Sequence, residues 1–156
     1  MLRTILAVVV GYIAMFIVIA AGLSVAYLTL GPDWAYQEGT YEITMQWAIL
    51  MLAFGLVAAV LAGIVCALIA KRSRNAVFAL MAAIVVLGAL SAGFQLMQAP
   101  PEDITRAADD SVTDAANKAR QPAWTLIANP IIRAAGVFLG ASLLRPKTAA
   151  DAPDAD

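Results

Sequence analysis

The fold is decided by residues 43–97, which read ITMQWAILMLAFGLVAAVLAGIVCALIA, then KRSR, then NAVFALMAAIVVLGALSAGFQLM. The two apolar runs, residues 43–70 and 75–97, contain no charged residue, and only the turn Lys71-Arg72-Ser73-Arg74 separates them. Each run is longer than the roughly 18 residues that mark a candidate membrane-spanning helix. The stretch therefore predicts a helical hairpin in a membrane.

Two further apolar runs flank this hairpin, at residues 4–30 and 123–144. As a helix of about 27 residues, the first would be about 40 Å long and would tilt or protrude from a hydrocarbon core of about 30 Å. A signal peptide is the alternative interpretation, because Ser24-Val25-Ala26 resembles a cleavage site. The apolar stretch exceeds the roughly 7–15 residues of a signal peptide's hydrophobic region, so we expect a retained helix.

The composition agrees with a membrane protein. Hydrophobic residues make up 62% of the 156 residues and charged residues 13%, against about 45–50% and about 25% in soluble domains. The one cysteine, Cys66, lies inside an apolar run, where a thiol is usually a small packing group. We predict an all-α, polytopic four-transmembrane-helix bundle, built as two hairpins within a single domain over residues 1–145.

The loops alternate in the sign of their charge, which predicts the orientation. One side carries the basic residues Arg3, Lys71, Arg72, Arg74, Arg145 and Lys147, and the other carries most of the acidic ones. Because short basic loops stay in the cytoplasm, we expect both termini to lie in the cytoplasm. The predicted location is the plasma membrane, specifically a bacterial inner membrane. Trp34, Trp47 and Trp124 then fall on the outer side, as in an interfacial aromatic belt.

Two segments outside the spans also have recognisable patterns. Pro101 suits the first position of a helix, and Glu102 and Asp103 suit its first turn. We predict a short amphipathic helix over residues 101–118 on the outer surface, with a flexible loop as the alternative. Residues 146–156 are small and acidic and predict a disordered cytoplasmic tail.

Small residues recur at helical spacing inside the runs. Run two places Gly55, Ala59 and Gly63 on one face, and run four contains the GxxxG pair Gly136 and Gly140. Such faces let helix backbones approach closely in lipid. They either hold the four helices of one bundle together or dock a second subunit.

Arg133 is the strongest anomaly, because it lies near the middle of run four and no acidic residue lies inside any run. A central arginine costs about 2.5–3.5 kcal/mol on insertion scales and usually faces a bundle interior or a cavity. Asn129-Pro130 could cap a helix that begins at Pro130, or the helix could run through and kink there.

The candidate intramembrane polar site comprises Arg133, Asn129, Gln46 and Gln95, with Glu42 and Gln98 as further candidate partners of the guanidinium. Three interpretations remain open for it. It could be a structural polar cluster, a contact to a second subunit or a lipid headgroup, or a site for an anion or substrate, which a cation near a helix N-terminus would favour.

Missing residue types narrow the function. The chain has no histidine and no carboxylate at membrane depth, which argues against metal or haem sites and against proton-coupled carriers such as the small multidrug exporters, whose first helix carries a glutamate. No nucleophile has a base nearby, and no motif suits phosphate or nucleic acid. We therefore expect no enzymatic activity, no cofactor and no nucleic-acid partner.

The favoured prediction is a structural, accessory or assembly subunit that packs against other membrane helices, as a homo-oligomer or in a larger complex. The alternative is a small oligomeric channel or carrier with Arg133 facing an anion pathway.

Overall fold

The computed structural model describes residues 2–97 and 112–144, which form six helices. These are α1 (Leu2–Leu30), α2 (Pro32–Ala35), α3 (Met45–Ile69), α4 (Arg74–Met97), α5 (Val112–Lys118) and α6 (Ala123–Ser142). Helices α1, α3, α4 and α6 are long and apolar enough to cross a membrane. The predicted all-α four-helix membrane bundle is confirmed.

Helix α3 is central to the bundle and packs most extensively against α6 and α1, while α4 packs mainly against α6. Helices α3 and α6 run in the same direction, since Gly55 lies against Arg133 and Gly63 against Val137. Helices α1 and α4 run the opposite way, with Gly11 against Leu80. The bundle therefore pairs two parallel helices that are not consecutive in the chain.

Local sequence sets where the helices begin. The Thr44 hydroxyl caps α3 by accepting a hydrogen bond from the Trp47 backbone N–H at 3.1 Å. Helix α6 begins after Pro122, whose carbonyl accepts from the Thr125 hydroxyl at 2.7 Å. Pro130 lies inside α6, so this helix runs through the proline rather than beginning at it, and proline at that position cannot donate to the Leu126 carbonyl.

The two loops at one end of the bundle join into an ordered layer, which we call the cap (residues 31–44 and 118–122). The Ile43 N–H donates to the Arg120 carbonyl at 3.1 Å, and the Arg120 N–H donates to the Tyr41 carbonyl at 2.8 Å. Lys118 Nζ donates to the Tyr41 hydroxyl at 3.0 Å. We call this end of the bundle the cap end, and the end carrying residues 71–73 the turn end.

Aromatic side chains fill the space beneath the cap. Trp47 meets Tyr27 and Trp34 edge to face, with ring centroids 6.2 and 6.1 Å apart, and Tyr36 and Tyr41 are buried. The expected aromatic belt is therefore wrong for Trp47, which is only 6% exposed. Its ring packs against Tyr27 of α1. Trp34 is partly buried, and Trp124 is 41% exposed.

Part of the predicted loop helix is present. Residues 112–118 form α5, whereas residues 101–111 and the predicted tail, residues 146–156, lie outside the described residues. The four predicted spans agree with the observed helices to within about two residues at most ends, a usual uncertainty for helix boundaries.

Candidate functional site

Arg133 lies against α3, at a position where α3 has no side chain. A Cβ placed at Gly55 would be 3.1 Å from Arg133 Nε and 3.8 Å from its Cγ. The missing side chain of Gly55 therefore leaves room for the arginine to lie between the helices. Arg133 is ten residues into α6, about 15 Å along the axis, which is roughly the middle of a hydrocarbon core of about 30 Å.

A cavity of about 200 Å³ lies beside this arginine, between all four long helices. Its polar lining consists of Tyr12 from α1, Ser91 and Gln95 from α4, Gln121 before α6, and Asn129 and Arg133 from α6. Apolar side chains, among them Met15 and Ile84, complete the wall. The polar groups extend from the cap end, where Gln95 and Gln121 lie, to Arg133 in the middle of the bundle.

Two buried polar atoms at this cavity have no hydrogen-bond partner among the described residues. They are Arg133 Nε, a donor, and Asn129 Oδ1, an acceptor. A buried polar group without a partner costs about 1–3 kcal/mol, and more when it is charged. No aspartate or glutamate occurs in the sequences of the four long helices. The cavity therefore holds a cation that these helices do not neutralise.

The cavity is closed toward the turn end by apolar packing. Ala7, Gly11 and Met15 of α1 and Val77, Leu80 and Ile84 of α4 are all buried there. A Cβ at Gly11 would lie only 3.1 Å from Leu80 Cδ2. The buried residues that α1 and α4 contribute between the cavity and the turn end are thus apolar.

The structure brings together three of the four predicted polar residues. Gln95 lines the cavity with Asn129 and Arg133, and its Nε2 donates to Ser91 Oγ at 3.4 Å. Gln46, in the first turn of α3, is not among the residues that line the cavity. Gln46 lies five residues before Met51, which does line the cavity. Because five residues correspond to about 140° around a helix, Gln46 lies on a different face of α3 from Met51.

Glu42, one further candidate partner of Arg133, does not line the cavity. Glu42 is exposed in the cap, where its carbonyl accepts from the Gln37 N–H at 2.8 Å, and Gln98 lies outside the described residues. Tyr12, Ser91 and Gln121 were not anticipated. A usable signal existed for Ser91, which lies four residues before Gln95 and hence on the same face of α4.

The predicted packing residues lie between α3 and α6. A Cβ at Gly63 would collide with the Val137 carbonyl, and one at Gly140 with the Val60 carbonyl. A Cβ at Gly136 would come within 2.8 Å of Ala59 Cβ. The small-residue face of α3 is thus covered by α6 of the same chain, so this face is not available to a second subunit.

No family model, curated protein or solved structure matches this chain. Its function therefore has to be inferred from the geometry described above.

Proposed function

We propose that this chain is a multi-pass protein of a bacterial inner (plasma) membrane, with both termini in the cytoplasm and the cap outside. The support is the basic turn at residues 71–74, because short loops rich in lysine and arginine remain cytoplasmic. Cysteine labelling in intact cells tests this with Gln37→Cys in the cap and Asn75→Cys at the turn end, both exposed positions, in a Cys66→Ala background. Labelling of Asn75→Cys by an impermeant reagent would overturn the orientation.

We further propose that the protein binds a small anion, or the anionic group of a larger molecule, in the cavity at Arg133. The observation that supports this most is the unpartnered donor Arg133 Nε, which belongs to a cationic side chain on the cavity wall. A guanidinium 4 Å from a unit negative charge gains about 4 kcal/mol at an effective dielectric constant of 20. That gain is large enough to offset the burial of an otherwise uncompensated cation.

This geometry favours the carrier among the predicted alternatives over an open channel. The cavity is lined with polar groups toward the cap end, whereas Met15, Leu80 and Ile84 close it toward the turn end. An anion bound at Arg133 would reach the other side only if α1 and α4 separated there. Binding from the cap side is therefore the primary proposal, and transport would require this separation.

The direct test is stabilisation by added anions. Phosphate, sulfate, chloride and short carboxylates are added to the purified protein in detergent, and thermal unfolding is followed; an anion that binds only the folded state raises Tm by mass action. We expect at least one anion to raise Tm for the wild type and not for Arg133→Gln. The matched control is Arg74→Gln, which removes an exposed arginine at the turn end. An equal shift in both variants would refute the site.

A second function, the accessory or assembly subunit favoured by the sequence, retains one supporting observation. Ala89 and Gly93 of α4, four residues apart on one face, are both exposed, and no atom of the described residues lies within 4 Å of a Cβ placed at Gly93. Small exposed residues at this spacing suit contact with another helix, here one from a second copy of the chain. Gly93→Leu should then reduce the oligomer measured in mild detergent; a wild-type monomer would exclude this role.

A further inference from the structure

The cavity opens on one particular side of the bundle. Each pair of neighbouring helices around the cavity meets along a line of contact, which we call a seam. The α1–α3 seam is closed where Gly22 packs against Phe54, and the α4–α6 seam where Gly88 packs against Pro130. Glycines close the α3–α6 seam. The remaining seam lies between α1 and α4. It is closed at the turn end, but α4 buries no residue after Ile84. Among the residues that the structure describes, the cap half of the cavity is therefore open between α1 and α4.

The residues that flank this opening are apolar and exposed. On α4, Leu87 is 45% exposed and Phe94 is 67% exposed, and on α1, Phe16, four residues after the cavity-lining Tyr12, is 66% exposed. In a membrane, side chains of this type at this depth face hydrocarbon. A molecule that enters the cavity from this side therefore comes from the bilayer rather than from water.

The size of the cavity limits which part of such a molecule it can hold. Its volume of about 200 Å³ is below the roughly 300–1,000 Å³ of pockets that enclose drug-sized ligands. It is still several times the roughly 30 Å³ that one water molecule occupies in the liquid. A phosphate or carboxylate group with a few attached atoms fits, whereas acyl chains would have to remain outside, between α1 and α4.

We propose that the ligand is an anionic membrane lipid, whose phosphate or carboxylate accepts a hydrogen bond from Arg133 while its chains stay in the bilayer beside α1 and α4. This inference rests on the anion site proposed above and names its ligand. Gln95, Ser91 and Gln121 line the route that the polar head follows from the cap end toward Arg133. The lipid headgroup supplies the negative charge that the four long helices lack.

Native mass spectrometry after reconstitution tests the proposal. The protein is released from nanodiscs containing equal amounts of phosphatidylglycerol and phosphatidylcholine with identical chains, and the lipids retained by each variant are counted. Losing one charge-assisted hydrogen bond, about 1.5–3 kcal/mol, corresponds to about a ten- to hundredfold loss of affinity. We expect wild-type protein to retain phosphatidylglycerol preferentially and Arg133→Gln to lose that preference.

A second pair of variants tests the opening itself without changing a charge. Leu87→Trp places a larger side chain at the rim of the cavity and should also reduce retention of phosphatidylglycerol. Leu96→Trp is the matched control, since Leu96 is on the same helix, is 68% exposed, does not line the cavity and lies nine residues after Leu87, on the opposite face of α4. Because both changes are made at exposed apolar positions, neither is expected to prevent folding, and helix content and elution volume verify this.

The outcomes separate the two proposals. Equal retention of phosphatidylglycerol by wild type, Arg133→Gln and Leu87→Trp would overturn the lipid inference. If free phosphate still raised the Tm of wild type and Leu87→Trp but not of Arg133→Gln, the anion site would stand without a lipid. If neither lipid nor free anion depended on Arg133, both proposals would fail.

Discussion

Replacing Gly63 with alanine is expected to destabilise the bundle strongly for a single added methyl group. A Cβ at this position would overlap the Val137 carbonyl oxygen and lie only 2.9 Å from its carbonyl carbon and Cα. Because carbon atoms pack at about 3.5–4.0 Å, α6 would have to move away by about half an ångström or more. The atoms in the way belong to a helix backbone, which cannot rotate aside as a side chain can.

The expected magnitude follows from overpacking, which costs about 1–3 kcal/mol in well-packed interiors. We place Gly63→Ala at the upper end, about 2–3 kcal/mol, because α3 and α6 form the most extensive interface in the bundle. Gly93→Ala is the matched control on α4, since nothing lies within 4 Å of its added Cβ. Alanine there should be neutral or stabilising by up to about 1 kcal/mol, because glycine is the poorer helix former.

The native cysteine provides the assay. Cys66 is the only cysteine in the chain and is fully buried, so a maleimide reacts with it only after α3 separates from its neighbours. The labelling rate is measured across a titration of SDS into mixed micelles, which yields a free energy of unfolding for each variant. If Gly63→Ala were as stable as wild type, or no less stable than Gly93→Ala, the backbone contact between α3 and α6 would be refuted.

Three further predictions concern the arginine and the cap. Arg133→Leu should leave insertion of α6 unchanged or improve it by up to about 2.5–3.5 kcal/mol, as measured by an insertion assay with glycosylation tags; reduced insertion would contradict the placement of this side chain. Gly55→Ala, whose Cβ would lie 3.1 Å from Arg133 Nε, should shift the guanidinium by a few tenths of an ångström and reduce the anion-dependent rise in Tm, with a smaller effect on stability than Gly63→Ala. Tyr41→Ala removes a ring that is only 4% exposed and should accelerate hydrogen exchange at the Arg120 amide, which donates to the Tyr41 carbonyl; unchanged exchange would show that the ring does not hold the cap.

The spans were predictable because their signal is local and strong. A run of more than about 18 apolar residues has no stable alternative to a helix in lipid, since every backbone N–H and C=O must be paired within the segment. The pair Gly136 and Gly140 was equally visible from spacing alone. The spacing did not predict which helix packs against Gly136 and Gly140. The α3 face that carries Gly55 and Gly63 could equally have packed against a helix of another chain.

The rotation of each helix was the main quantity that the sequence did not determine. Helix α3 is apolar on every side, so no amphipathic pattern indicates which face is inside. Gln46 was therefore assigned to the polar site, although it does not line the cavity. Asn129 does line the cavity with Arg133, because the two are four residues apart on α6.

The cap was missed for a different reason. It depends on backbone hydrogen bonds between residues 41–43 and residue 120, which are far apart in the chain. No local pattern of polar and apolar residues encodes such a pairing, since it is decided by where α3 and α6 begin. The tryptophans were consequently predicted to lie in a belt, although Trp47 packs beneath the cap.

The parallel contact between α3 and α6 has a consequence for biosynthesis. Domains and helices emerge from the ribosome in chain order, so α3 and α4 enter the membrane before the helix against which α3 packs most extensively has been made. Helix α6 is the least hydrophobic of the four by mean hydropathy and carries Arg133, so of the four it has the weakest tendency to insert alone. The surface of α3 at Gly55, where no side chain projects, would then be in place before α6 and would accommodate Arg133 as α6 inserts. A substitution that disrupts this surface of α3 would first be detected as failed membrane integration of α6.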